Sequence, residues 1–164
     1  MVDTQSLLGV VATVIGLAFA YRASFDGFIP VLDHANLAFH EAGHVFFGIF
    51  GPTLNLYGGT LGQLVFPVVV TVSFWRKGAL VSAALALLWL FQNFLNIARY
   101  MADARAQQIP LVGGEHDWFN ILSRWSALSS DTMLARLLST LAWLGMLATC
   151  IGIGLVWYRD RSGT

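Results

Sequence analysis

The stretch Phe39-His40-Glu41-Ala42-Gly43-His44-Val45-Phe46-Phe47 decides how this chain is understood. The whole sequence holds four His and two Glu, and five consecutive positions here contain two of the His and one of the Glu. On a helix, residues four apart share a face, so His40 and His44 can present both imidazoles to one zinc ion. Glu41 lies beside them, where a carboxylate can take a proton from water. That is the pattern of a zinc hydrolase. Its surroundings are apolar, and ionisable groups in an apolar span are costly and usually functional, which favours metal binding over a pair of core histidines.

Composition extends the apolar setting to the whole chain. Of 164 residues, 57% are hydrophobic and 11% charged, with a mean hydropathy of +0.68; soluble domains carry about 25% charged residues. An integral membrane protein is expected. Nine basic and nine acidic residues cancel, which leaves no electrostatic case for nucleic acid as a partner. The single Cys150 excludes an intramolecular disulfide and a thiolate-based zinc site. No Pro- or Ser-rich linker, repeat or low-complexity tract divides the chain, so residues 1–164 are expected to form one membrane domain.

Taken in order, residues 7–21 and their flanks form a first span of about 20 residues. Phe25 to Pro30 reads as an interfacial connection, and Asp33 as the N-cap of a helix running to about Phe50. From that cap His40 lies roughly 10 Å and His44 roughly 16 Å along the helix, at membrane depth. His34, near the cap, belongs at the interface. Gly51 to Gly62 reads as a Gly-rich linker that either turns or lines the site, and residues 63–75 as a short span or re-entrant segment containing Pro67. Residues 78–106 form the longest helical pattern. Its second half carries Gln92, Asn96, Arg99 and Asp103 on one face, a stripe that should meet protein or water. The Ile109 to Asp117 loop ends in three potential ligands, Glu115, His116 and Asp117. Trp118 to Leu128 is expected to be an amphipathic helix in the membrane interface. Residues 133–158 form the last span, with Gly145, Gly152 and Gly154 as packing positions.

The expected fold is therefore an all-α, multi-pass transmembrane bundle of four to five spans. With five, Arg22, Arg76, Lys77, Arg159 and Arg161 share one side against Arg105 and Arg124, which places the C-terminus in the cytoplasm. With four, residues 59–75 are re-entrant.

A catalytic zinc takes three protein ligands and keeps one open position. Beside His40 and His44, the preferred third ligand is Asp103, at the end of the polar stripe; His116, Asp117 and Glu115 are the alternatives. Glu41 is the expected general base, and Asn96 or Asn93 the expected oxyanion donor. An alternative is a non-proteolytic membrane protein that keeps a zinc or proton site for transport or for regulating a membrane partner.

The segments FHEAGHVFFGIFG, GGTLGQ and Asn96 to Asp103 (NIARYMAD), about half the chain, resemble the site-2 protease family of intramembrane zinc metalloproteases. The resemblance implies a zinc-dependent endopeptidase cutting transmembrane or membrane-associated polypeptides within the lipid bilayer, with His40, Glu41 and His44 matching the family's first motif. The family's second motif, an Asp followed by Gly, is matched only by Ala102-Asp103-Ala104. A weaker resemblance joins Tyr100 to Ala104 to the CAAX-endoprotease-type membrane metalloproteases; in that register the ligand Glu falls on Arg99 and Asp103 would support a zinc-bound His.

Overall fold

Helix signals in the sequence open most of the elements. The computed structural model describes residues 1–24, 26–112 and 115–163. Among the described residues it is all-helical, 81% helix, without strands. The first helix, α1 (Thr4–Ala23), starts behind Asp3, whose Oδ1 accepts the Ser6 N–H at 2.7 Å. Pro30 and Pro52 stand at the first positions of α2 (Pro30–Gly48) and α3 (Pro52–Arg76), where the missing N–H costs nothing. After α4 (Leu80–Ala102), His116 caps the short α5 (Asp117–Arg124) by accepting the Phe119 N–H at Nδ1. A 3-10 turn, Leu128–Ser130, leads into α6 (Asp131–Ser162).

Four of these helices, α1, α3, α4 and the α6 segment, are long and apolar enough to cross a membrane; the number equals the lower expected count, but the set differs, since that count left out residues 59–75 and included the helix that carries His40 and His44. Helix α2 is not one of them. Its buried face is Asp33, Asn36, His40 and Gly43, whereas Val31, Val45, Phe46 and Ile49 point outward. Polar inside and apolar outside is the arrangement lipid demands.

Helices α1 and α6 run antiparallel: Val2 N–H donates to Asp160, Trp157 Nε1–H to Thr4 Oγ1, and the Tyr21 ring meets Trp143 at 5.7 Å. Residues 2–4 and 157–160 thus share one end of the bundle. Helix α4 packs antiparallel to both α6 and α3. One apolar cluster, with Val10, Leu88, Leu95 and Met146, fills the space between α1, α4 and α6; a second, with Ile97, Met101, Trp118, Ile121 and Leu122, lies under α5.

Between α1 and α2 the chain folds back into the bundle. Asp26 pairs with Arg99 in the last turn of α4, and Asp33 accepts from Gln92, halfway along α4. Helix α2 consequently begins at mid-depth and runs outward, forming an antiparallel hairpin with α3.

Several expectations are corrected. Gly51 to Gly62 is not a linker, and residues 59–75 are not a separate re-entrant segment: from Pro52 both belong to α3. Its glycines are there for close approach. A Cβ on Gly58 would come 2.7 Å from Gly43 O, and one on Gly62 would come 2.4 Å from Phe39 O. Asp33 is not the N-cap, because Pro30 starts the helix earlier; its carboxylate reaches back to the Ile29 N–H. The helix expected in the interface ends at Arg124, and its apolar residues Trp118, Ile121 and Leu122 are buried on protein. Gly145 packs against Phe91, but Cβ atoms at Gly152 and Gly154 would touch nothing within 4 Å. Phe25, Gly113 and Gly114, part of two expected connections, lie outside the described residues.

Forcing a methyl into the hairpin should therefore cost about 1–3 kcal/mol of strain. Gly62→Ala should lower the melting temperature of the purified protein in detergent, and Gly152→Ala, with open space around it, should leave it unchanged or raise it slightly; equal melting for both variants would contradict this packing.

Candidate metal centre

Helix α2 turns His40 and His44 toward α3, and α3 answers with its least bulky face. A Cβ on Gly59 would lie 2.3 Å from His40 Nε2 and 2.5 Å from His44 Nε2, so only glycine leaves room for both rings. From the other side α5 brings Asp117. His40 Nε2, His44 Nε2 and one Asp117 oxygen all lie within 4.8 Å of one another. The separations are 2.8 Å from Asp117 Oδ2 to His40, 3.1 Å from Asp117 Oδ2 to His44, and 3.1 Å between the two nitrogens.

The hydrogen bonds behind the rings fix which nitrogen faces inward. His44 Nδ1–H donates to the Asn55 carbonyl at 2.8 Å, and His40 Nδ1–H to Gln63 Oε1 at 2.9 Å. Gln63 is held in turn, its Nε2 donating to Asn96 Oδ1 at 2.8 Å. With both protons on Nδ1, two Nε2 lone pairs and a carboxylate oxygen face each other. A cation relieves that repulsion. Zinc bonds of about 2.0–2.2 Å would set tetrahedral ligand atoms roughly 3.3 Å apart, close to what is seen. Two imidazoles and one carboxylate are also a zinc donor set, and ligating histidines anchored through their second nitrogen are its usual support. The residues fit the ion.

Burial alone would raise the Asp117 carboxyl; when a proton rather than a cation sits between the groups, donation from Nε2 of His40 and His44 and their charge hold it down at about 2. It is an anion at neutral pH, as a ligand must be.

Glu41 lines the same cavity, of about 940 Å³, as His40, His44, Asp117, Asn96 and Tyr100. Its carboxylate has no hydrogen bond or ion pair with the described residues, which leaves it free to act on a solvent molecule.

The expected third ligand, Asp103, is not part of the group. Standing at the end of α4, it accepts the N–H groups of Gln108 and Ile109, because a carboxylate at a helix end satisfies the chain that leaves it. His116 also lies apart. Its Nδ1 caps α5, its ring stacks on Tyr100 at 4.2 Å, and its Nε2, without a hydrogen bond, is 3.5 Å from Asp103 Oδ2. Glu115 is exposed and accepts from Asn120. Asn96 lines the cavity. Asn93 does not: it is fully buried and donates to the Trp89 carbonyl. Sequence reasoning missed Gln63, Asn55 and Gly59; the GGTLGQ segment contained two of them, but only its helical phase shows that they face the histidines.

Compared with protein-family models, with curated proteins and with solved structures, the chain matches none.

Metal analysis of variants tests the ligand set. Asp117→Ala should lose zinc while Asp103→Ala keeps it, and Gln63→Ala should weaken zinc affinity by about 10–100-fold. Zinc kept by Asp117→Ala and lost by Asp103→Ala would reverse the assignment.

Proposed function

We propose that the chain is a multi-pass, zinc-dependent intramembrane endopeptidase. The observation that carries this is the convergence of His40, His44 and Asp117 beside an unpaired Glu41 in one cavity. The likeness of FHEAGHVFFGIFG to the site-2 protease family points the same way, with Asp117 as third ligand instead of Asp103.

A zinc ion held by these groups would polarise a carbonyl and bring the pKa of a water to about 7. Gln63 and Asn55 keep the two imidazoles in the ligating tautomer and orientation. Glu41 takes a proton from the attacking water and passes it to the leaving nitrogen. A C–O bond forms, the C–N bond breaks, and peptide plus water becomes a carboxylate and an amine.

The four long apolar helices support four crossings, which put residues 2–4 and 157–160 on one side of the membrane. Arg22 then joins Arg105 and Arg124 on the other side, which removes the charge bias that pointed the C-terminus to the cytoplasm. Because α2 runs outward, the cavity lies beside the last two turns of α4, at Asn96 and Tyr100. Cleavage would thus fall near one membrane surface, on a transmembrane or membrane-associated polypeptide. A transport role would call for exchangeable carboxylates along a path; of the buried ones, Asp33 is already engaged by Ile29, Asn36 and Gln92, and Asp131 by Arg105.

The test is zinc content and cleavage of a panel of transmembrane peptides by protein purified in detergent. Wild type should hold one zinc per chain, and Glu41→Gln should keep the zinc while cleavage drops by about 10²–10⁴-fold. Full cleavage by Glu41→Gln, or no zinc in wild type, would sink the proposal.

A further inference from the structure

One group in the cavity has no part in the chemistry above. Tyr100, on α4, lines the cavity together with the three ligands. Its ring is clamped on two sides, stacked on His116 with centroids 4.2 Å apart and edge-on to His40 at 5.8 Å. Its hydroxyl oxygen accepts the backbone N–H of Asp117 at 3.1 Å. The phenol is thereby fixed to the backbone of the residue whose carboxylate completes the ligand set. Among the described residues nothing accepts the hydroxyl proton, so the O–H is a positioned donor with its hydrogen unspent.

Other candidate donors on α4 are held by neighbours. Asn93 is buried and donates to the Trp89 carbonyl. Asn96 is held through Oδ1, which accepts from Gln63. Arg99 donates from Nε and Nη2 to Asp26 and lies over the Phe28 ring.

We propose that Tyr100 is a catalytic residue of the hydrolysis proposed above, donating its O–H to the scissile carbonyl oxygen as that oxygen gains negative charge. The inference rests on the endopeptidase assignment. No bond in the phenol breaks: the proton stays on Tyr100 and the hydrogen bond strengthens as the carbonyl carbon becomes tetrahedral. Donors held at the site of developing charge need no reorganisation when the reaction occurs, and removing one costs about 10²–10³-fold in kcat. The role expected of Asn96 or Asn93 thus passes to a side chain one helical turn further along α4.

The experiment compares zinc-loaded wild type, Tyr100→Phe and Asn96→Leu in detergent. For each, zinc content, melting temperature, kcat and KM on one cleaved transmembrane peptide are measured. So is the affinity for a phosphinic analogue of that peptide, whose tetrahedral anionic group mimics the charged intermediate. Tyr100→Phe should keep its zinc and melting temperature, lose about 10²–10³-fold in kcat with KM little changed, and lose a comparable factor in phosphinic-peptide affinity. Wild-type kcat and affinity in Tyr100→Phe would overturn the proposal. So would the same loss appearing only in Asn96→Leu, or loss of zinc from Tyr100→Phe, which would make Tyr100 a support for Asp117. A wild type that neither cleaves nor binds the phosphinic peptide would instead overturn the endopeptidase assignment and this inference with it.

Discussion

How closely two helix backbones can approach governs the site. At the crossing of α2 and α3, Gly43 meets Gly58 and Gly62 backbone to backbone, and Gly59 stands directly over the two histidine rings. Any side chain at these positions would bring a Cβ to 2.1–2.7 Å from the facing helix or its histidine rings and so push α3 away. Gln63 and the Asn55 carbonyl would then no longer reach the imidazoles, and neither the tautomer nor the ring orientation would be fixed. In lipid, where burial of apolar surface does not drive helices together, such close van der Waals contact is a main source of association. The glycine face therefore sets both the hairpin and the geometry of the ligands.

A second constraint is that polar groups inside the bundle must be satisfied. Asp33, Asn36, Gln92 and Trp89 form a closed set: Gln92 Nε2 donates to Asp33, Asn36 Nδ2 to Gln92 Oε1, and Trp89 Nε1 to Asn36 Oδ1. This network clamps the inner end of α2 to α4 and fixes its rotation. Half-satisfied, it would be worse than an apolar contact. Complete, it defines which face of α2 turns inward, and His40 lies one turn beyond Asn36 on that face.

The all-helical fold and half of the candidate metal centre were legible in the sequence. The apolar composition, the HEAGH spacing and the inward-facing Gln92 and Asn96 are local or periodic signals, and the all-helical fold follows them. What failed was long-range. Gly51 to Gly62 looked like a loop because glycine is a breaker in water; the small-residue spacing of Gly58 and Gly62 was the overlooked sign of packing. Asp103 looked like the ligand because it ended a polar stripe. A carboxylate where a helix stops has backbone N–H groups to receive, however, and Asp103 receives two. Asp117 is separated from His44 by 73 residues, and no periodicity spans such a gap. Depth was misjudged for a simpler reason: α2 begins at mid-depth, where Asp33 meets Gln92 halfway along α4, and runs outward instead of inward from the interface.

That separation bears on stability as well as chemistry. The ligands come from the α2–α3 hairpin and from α5, an eight-residue helix, too short to hold its own shape in water. An ion bridging His40, His44 and Asp117 would close a long loop of chain, and the entropy of closing a loop grows only logarithmically with its length. Ordering of the α5 turn and retention of such an ion would then be one linked equilibrium: whatever loosened α5 would weaken the ion's hold, and the ion would return the same free energy as a staple on the surface of the bundle.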